Sequence, residues 1–180
     1  MIQGKFVQFR SIEVDDLPKL KDWRNNPHVK RTTREFLLLN MFNQKLWFES
    51  LHKQKPPKDI MFGIVKKKEK ILIGVCGLTY IDWKNRHAEL SIYLAGSKWQ
   101  KRKETKDSVK LLLQYGFGEL GLHKIFAEVY SFVQETVELY KELSFHHDGI
   151  LRENVWRNGK WWDSYILSKL DTEFQYEKSN

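Results

Sequence analysis

The spacing of apolar residues along the 180-residue chain predicts a succession of strands and helices. Segments with an apolar residue at every second position are typical of strands, because successive side chains of a strand point to opposite faces. Apolar residues three and four positions apart are typical of helices that bury one face. Strands are predicted over 5–12, 60–65, 71–83, 86–94, 124–131, 145–157 and 160–170, and helices over 15–24, after a cap at Asn43, over 105–120 and over 134–143.

Short local signals support several of these boundaries. Asn158-Gly159, between the last two strands, is typical of a type I′ turn and predicts a closing hairpin. Gly121 is expected to stop the long helix, and Thr105 is a good N-cap at its start. Pro27 is expected either to end the first helix or to open a short one.

The order of these elements predicts the fold class. A strand, two helices, three strands, a helix, a strand, a helix and two strands indicate a mostly antiparallel sheet, which becomes mixed at the late strand–helix–strand unit. We therefore expect an α+β (mixed α/β) fold with about four helices flanking a central sheet. One domain is predicted over residues 1–174, followed by a polar tail over 175–180, without a repeat or linker.

The charge balance narrows the class of partners. The chain has 31 basic and 23 acidic residues, and its net charge of +8 favours phosphates, nucleotides, acidic proteins or nucleic acid over a polycationic acceptor. A solvated basic surface explains the same charge equally well.

The longest apolar run is 36–39, and the N-terminus lacks the apolar core of a signal peptide, so a cytoplasmic protein with no membrane partner is expected. Cys76 lies in an apolar strand segment, which favours a buried, inert thiol.

One junction between a predicted strand and a predicted helix has the composition of an anion site. The segment W-Q-K-R-K-E-T-K-D, 99–107, follows the strand 86–94 and carries four basic residues, but it contains no glycine. The first turn of a helix presents free N–H groups and the positive end of the helix dipole, which attract phosphate. A phosphate-binding loop without glycine is one interpretation, and a loop that has lost this role is the other.

The sequence around this junction resembles the GCN5-related N-acetyltransferases. The resemblance covers almost the whole chain. Within the family, the sequence is most similar to the branch of ribosomal-protein N-terminal and amino-sugar N-acetyltransferases. The segments that carry it are W-R-N-N-P-H-V, A-E-L-S-I-Y-L, L-L-L-Q-Y-G-F-G-E-L-G-L-H-K-I, V-Y-S-F, L-Y-K-E-L-S-F and L-R-E-N-V-W-R-N-G-K-W-W-D-S-Y-I-L.

The resemblance implies acetyl-CoA as co-substrate, bound in a wedge between the strands 86–94 and 124–131, and direct attack by the acceptor amine. Tyr140 occupies the position of the tyrosine that protonates the departing thiolate, although it also suits a core position on its helix. Glu89 is the candidate base, or alternatively a structural carboxylate. Backbone N–H groups of Ile92 and Leu94 are expected to bind pantetheine and polarise the thioester.

The family's phosphate loop reads Q/R-x-x-G-x-G/A, and this chain departs from it. Gln100 matches, whereas Lys103 and Thr105 occupy the glycine positions. A lysine forced to positive φ at position 103 would cost about 1 kcal/mol, while the surrounding basic side chains offer charge to phosphates directly. Val133 replaces an asparagine and Ser144 a glycine of the family pattern. The implied cofactor contacts are Ile92, Tyr93, Leu94, Trp99, Gln100, Lys101, Arg102, Lys103, Glu104, Thr105 and Val133.

The acceptor side is expected to involve tryptophans and an arginine that precede or close the sheet. Trp23, Arg24 and Trp47 lie in the region that covers the acceptor in this family, and Trp156 lies on the final hairpin. Arg24 suits an acidic or phosphorylated acceptor. Surface packing explains the tryptophans about as well, and a homodimer patch is a further interpretation of the hairpin tryptophans.

Three functions follow from the sequence. The first is acetyl-CoA-dependent N-acetylation of a primary amine, expected on an anionic acceptor: a protein N-terminus or an amino sugar, also a nucleotide-linked one. The second is a binding or regulatory protein of the same fold without catalysis, favoured by the missing glycines. The third is nucleic-acid binding by the basic segment 98–110, which has no recognised motif. The six histidines show no metal-ligand spacing, so no metal is expected.

Overall fold

The computed structural model describes residues 2–96 and 102–176, which form one sheet with helices on its faces. The strands lie in the order β1-β2-β3-β4-β5-β6-β8-β7. Their bounds are β1 Ile2–Gln3, β2 Val7–Arg10, β3 Ile60–Lys66, β4 Ile71–Asp82, β5 His87–Leu94, β6 Lys124–Tyr130, β7 His146–Arg157 and β8 Lys160–Leu170. The helices are α1 Leu17–Asn25, α2 Pro27–Lys30, α3 Met41–Ser50, α4 Lys103–Gln114 and α5 Gln134–Glu142.

The predicted fold class is confirmed. Every pair of neighbouring strands is antiparallel except β5 and β6, which are parallel and are connected through α4. A parallel pair needs a crossover connection, and the long amphipathic helix predicted after β5 supplies it. The mixed, mostly antiparallel sheet therefore follows from the element order.

Helix α4 packs its apolar face on the sheet and fixes the parallel pair. Val109, Leu112 and Leu113 are buried at the predicted three-and-four spacing. The helix continues as one π-helical turn, Tyr115–Glu119, and Gly121 follows with φ of +62°, as expected of a helix stop. Cys76 on β4 is fully buried, and burial raises the pKa of its thiol, in line with an inert core residue.

Two predicted helix caps were each wrong by three residues. Helix α3 begins after Asn40, whose side chain accepts from the N–H of Asn43, while the Asn43 side chain accepts in return from the N–H of Asn40. Both asparagines fit a capping box, and the sequence pattern selected the inner one. Helix α4 is capped at Arg102, so Thr105 lies inside the first turn and is fully buried.

The turn predictions were correct. Asn158 and Gly159 both have positive φ, at +52° and +76°, as a type I′ turn requires. Pro27 opens the short helix α2, which was one of the two predicted outcomes. Within the described ranges, none of the helices has the combination of length and apolar composition that a membrane span needs. The extent of the single domain stays a prediction, and residues 177–180 of the expected tail lie outside the described residues.

Candidate active site

The two central strands, β5 and β6, separate partway along their length. β5 and β6 pair only from His87 with Lys124 to Glu89 with Phe126. Beyond Glu89, β5 continues to pair with β4 as far as Leu94, and β6 continues to pair with β8 as far as Tyr130. Each strand therefore stays in the sheet on its outer side while a wedge opens between them.

The wedge exposes backbone donors of β5. The N–H of Ala95 donates to the carbonyl of Ile73, which precedes Gly74 on β4, at 2.9 Å. Because peptide groups along a strand alternate in direction, the N–H groups of Leu94 and Ile92 point the other way, toward the wedge. The N–H groups of the predicted donors Ile92 and Leu94 therefore face the space between the strands, and their role as donors stays a prediction.

A cavity of about 480 Å³ lies over this wedge, and its lining is acidic and aromatic. The described lining residues include four carboxylates and two guanidinium groups. Their net charge is therefore negative, opposite in sign to the net charge of the whole chain. The aromatic residues of the lining come from the 31–40 loop, α3, β4, β5, β6 and α5. The charged residues are Arg24, Arg34, Glu35, Asp59, Glu89 and Glu128, and the aromatic ones are Phe36, Trp47, Tyr80, Tyr93, Tyr130 and Tyr140.

Glu89 lies at the point where the strands separate, and it is buried. Burial raises the pKa of its carboxyl, while the hydrogen bond and charge of Arg34 lower it, and the charges of Glu128 and Asp59 raise it further. Arg34 contacts both carboxylate oxygens of Glu89, at 2.8 and 3.1 Å. A raised pKa makes the carboxylate a stronger base, which suits the predicted role.

Glu128 on β6 is a second carboxylate of the site that the sequence interpretation missed. One of its oxygens accepts from Arg34 at 2.5 Å and the other from Asn154 of β7 at 2.8 Å. The available signal was the alternation of β6, because Phe126, Glu128 and Tyr130 share one face and Phe126 pairs with Glu89. Two carboxylates thus stand on the two arms of the wedge, with one guanidinium between them.

Helix α5 brings two hydroxyl groups to the same cavity. Tyr140 is buried beside Phe145, with ring centroids 4.8 Å apart, and burial together with the Glu89 charge raises the pKa of its phenol. Thr136, one turn earlier, is buried in the cavity lining, and its hydroxyl has no partner among the described residues. Val133 is buried at the N-cap of α5 and makes no side-chain cap. This chain therefore has no polar side chain at the position where the family pattern has asparagine.

The basic junction differs from its sequence interpretation. Trp99, Gln100 and Lys101 lie outside the described residues. Lys103 is the first residue of α4 with its ammonium 4.5 Å from the Phe6 ring, and it is not among the residues with positive φ. The expected strain of a lysine at this glycine position is therefore absent.

The neighbouring side chains of the junction have partners within the chain. Lys106 pairs with Glu142, and buried Glu104 lies 3.6 Å from the ammonium of Lys66. Arg102 folds back toward β5, since a Cβ on Gly96 would lie 3.0 Å from its Nη2. Their roles as cofactor contacts remain predictions.

The predicted acceptor-side residues separate into two groups. Arg24 and Trp47 line the cavity, where Arg24 pairs with Glu35 at 3.2 Å and lies 5.8 Å from the Trp47 ring. Trp23 is not part of the lining and packs against the core under the ammonium of Lys19. Trp156 is also outside the lining, is 55% exposed, and contacts Trp161 on the hairpin.

Comparison with known proteins places this architecture. Residues 7–146 match the family model described as an acetyltransferase (GNAT) domain. The fold is similar to a solved structure of the spermidine N-acetyltransferase from Vibrio cholerae in complex with CoA and spermine. That likeness has a TM-score of 0.84 at 26% identity and covers 93% of this chain and 96% of that one.

Sequence relatives give the same family but more than one branch. The Vibrio cholerae spermidine N(1)-acetyltransferase is 33% identical, over 89% of this chain and 92% of that protein. An uncharacterized N-acetyltransferase, p20, from Bacillus licheniformis is 34% identical, and the match spans 63% of each chain. The Escherichia coli [ribosomal protein uS5]-alanine N-acetyltransferase is 25% identical over 62% of this chain and 57% of that protein. The predicted branch is thus not confirmed, because the relatives include a spermidine acetyltransferase as well as a ribosomal-protein enzyme. The chain belongs to the GNAT family of N-acetyltransferases.

Proposed function

We propose that this protein transfers the acetyl group of acetyl-CoA to a primary amine by direct attack of the amine. The wedge between β5 and β6 is the observation that carries this proposal, because it opens at Glu89 and forms the floor of the cavity that Tyr140 also lines. A base candidate, an acid candidate and backbone donors thus surround one space. Membership of the GNAT family supports the use of acetyl-CoA in this proposal, and CoA is present in the similar solved structure.

The residues of the wedge fit an acyl thioester. Acetyl-CoA supplies an activated acetyl carbonyl and a thiol leaving group. In this proposal the N–H groups of Ile92 and Leu94 hydrogen-bond the pantetheine amide carbonyls and polarise the thioester carbonyl. The hydroxyl of Thr136, which lacks a partner among the described residues, offers one more hydrogen-bonding group on the opposite wall.

Glu89 and Tyr140 divide the proton transfers of the reaction. An amine is protonated at neutral pH and must lose one proton before its lone pair can attack, and Glu89 accepts this proton directly or through water. The new C–N bond forms as the C–S bond breaks. Tyr140 donates its phenolic proton to the departing sulfur, the resulting phenolate takes up through solvent the proton that the acylated nitrogen loses, and Glu89 releases its proton to solvent. The net products are an amide, a thiol and one released proton.

The cavity favours a cationic acceptor, in contrast to the anionic acceptor expected from net charge. Four carboxylates against two guanidinium groups among the described lining residues attract an ammonium ion at close range, where the charges of the distant surface are screened. Spermidine, named for the Vibrio cholerae relatives, fits this lining better than a nucleotide-linked sugar does. A protein N-terminus and an amino sugar without phosphate remain compatible with it.

Thiol release measured with acetyl-CoA and a panel of amines tests the proposal. The panel contains spermidine, 1,4-diaminobutane, glucosamine, glucosamine 6-phosphate and a short peptide with a free N-terminus. We expect release with the cationic amines and little with the phosphorylated sugar. Calorimetry with CoA in parallel separates the alternatives: CoA binding without release on any amine would indicate a non-catalytic protein, and no binding near about 1 mM would remove the basis of the proposal.

A further inference from the structure

The guanidinium of Arg34 lies between two carboxylates of the cavity lining. It bonds both oxygens of Glu89, at 2.8 and 3.1 Å, and one oxygen of Glu128 at 2.5 Å. The Tyr80 ring lies on one side, with its centroid 5.7 Å from the guanidinium carbon. Two carboxylates and an aromatic face are the groups that recognise an organic cation.

We propose that Arg34 is a resident competitor of the substrate, and that the acceptor enters by exchanging its own cationic group for the Arg34 guanidinium between Glu89 and Glu128. This inference rests on the proposed function and adds how the site selects its acceptor. The ligand class is an amine with a positive charge, and a second charge on a flexible chain strengthens its hold.

The exposure of the three partners favours exchange over a permanent ion pair. The Arg34 side chain is 49% exposed, whereas those of Glu89 and Glu128 are 10% and 13% exposed. The half-exposed guanidinium can therefore return to water more readily than either carboxylate, because it has kept part of its hydration. The two carboxylates cannot, since they are anchored on β5 and β6 and would be left as like charges in a buried space.

The surroundings of Arg34 also allow it to leave. It lies in the segment 31–40 between α2 and α3, which contains no helix or strand. The backbone on either side of Arg34 is held by another side chain, since Arg157 donates to the carbonyls of Thr33 and Glu35 at 3.0 and 3.4 Å. Only the side chain has to move for the cation-binding position to open.

The position vacated by Arg34 would remain part of a formed site. Tyr80 has φ of +50°, and its N–H donates to the Asp59 carboxylate at 2.9 Å, which holds the ring at the cavity mouth. Thr136 lines the same cavity with a buried hydroxyl that lacks a described partner. An incoming amine therefore meets carboxylates, an aromatic face and a hydrogen-bonding group without rearrangement of the strands.

Binding of 1,4-diaminobutane to Arg34→Met and to the wild type, measured by calorimetry with CoA present, tests the exchange. The methionine keeps an unbranched side chain of similar reach and removes the competing charge. We expect affinity to increase about tenfold, since the apparent affinity is reduced by the fraction of sites that Arg34 occupies. Arg34→Lys is expected to stay near the wild type. Arg31→Met is the matched control, because Arg31 contacts Phe132 outside the cavity lining, and its affinity is expected to change less than about twofold.

Two outcomes would overturn the exchange. The first is diamine binding to Arg34→Met that is unchanged or weaker, with the melting temperature of the variant retained. The second is measured on the wild type, where the side-chain N–H resonance of Arg34, assigned by its loss in Arg34→Lys, stays in place as diamine saturates the site. The wild-type measurement decides the question if Arg34→Met is unstable. Both readouts are independent of turnover, so failed exchange with intact thiol release leaves the proposed function standing.

Discussion

Asn154 on the outer strand β7 donates a hydrogen bond of 2.8 Å to Glu128 on the central strand β6, across the intervening strand β8. A bulge makes this reach possible, because the register of β7 shifts between Leu151 and Val155. Bulges re-aim side chains, and this one lets the side chain of Asn154 reach the candidate active site. The closing hairpin thus holds the second carboxylate of the site in place.

Asn154→Ala should therefore impair acceptor binding more than catalysis. Glu128 loses one of its two described donors, and we expect KM for a cationic amine to rise about threefold to tenfold with kcat and CoA affinity little changed. Steady-state thiol release over a range of amine concentrations measures the split. Arg152→Ala, an exposed neighbour in the same bulge, is the control. An unchanged KM would mean that Glu128 does not contact the acceptor.

Tyr140→Phe tests the acid. Removal of the phenolic hydroxyl should lower turnover by about 100-fold, as expected of a general acid, while CoA affinity changes less than about threefold. Single-turnover thiol release is the measurement, since it isolates the chemical step. Tyr165→Phe removes a hydroxyl from β8 outside the cavity lining and should leave turnover intact. If Tyr140→Phe keeps full turnover with chemistry rate-limiting, the neighbouring Tyr130 becomes the candidate for the same test.

The pKa of Glu89 predicts the acid limb of the pH profile. Burial raises this pKa, and the base works only when deprotonated, so kcat/KM should rise with pH and have its inflection above the usual range of a glutamate. Arg34 lowers the pKa and Glu128 raises it. The inflection should therefore move to higher pH in Arg34→Met and to lower pH in Glu128→Gln.

The same shift has a consequence for stability with a definite sign. Because the folded pKa of Glu89 is raised, its protonated form contributes stability at low pH, and this contribution is lost as pH rises through the folded pKa. Glu89→Gln should thus remove this contribution, so that the free energy of unfolding changes less favourably toward acid pH than it does in the wild type, as measured by urea unfolding. In the kinetic test, one result would contradict Glu89 as the base. It is a wild-type kcat/KM profile whose inflection coincides with that of the free amine and does not move in Arg34→Met or in Glu128→Gln.

The fold was predictable because its determinants are local in sequence. Alternating strands, the three-and-four spacing of α4 and the Asn158-Gly159 turn each depend on neighbours within one element. The caps were less certain, because Asn40 and Asn43 both satisfy the same capping rule and only their reciprocal bonds select the outer one. The family resemblance then supplied the topology that local signals leave open.

The site was only half predictable, because its chemistry depends on long-range proximity. Glu89 and Tyr140 could be placed through the family pattern, but Arg34 lies 55 positions from Glu89 and 94 from Glu128 in a segment without periodicity. Net charge did not reveal the acidic lining of the cavity, since the charges of a small cavity are invisible in a sum over the chain. Trp156 was selected for its residue type, and burial is what separates it from the lining.

Ser144 gives a stability prediction at a position where the family pattern has glycine. It has φ of +58°, the left-handed region that costs a residue with a Cβ about 1 kcal/mol or more. Ser144→Gly should therefore increase the free energy of unfolding by roughly 0.5–1 kcal/mol, measured by urea titration. Ser144→Ala keeps the Cβ and should bring no gain. Lys169 binds the Ser144 carbonyl at 3.0 Å, and this contact survives both changes.

The two filled glycine positions of the phosphate loop give the last prediction. Thr105 is fully buried inside α4, so Thr105→Gly should cost about 1–2 kcal/mol of stability and weaken CoA binding through a less ordered first turn. Lys103 is exposed at the helix start, and Lys103→Gly should change CoA affinity by less than about threefold. Lys110→Gly, at an exposed position of the same helix, is the control for the backbone cost of glycine. Calorimetric titration with CoA would contradict this reasoning if Thr105→Gly bound CoA more tightly than the wild type, because the helical first turn would then obstruct the phosphates.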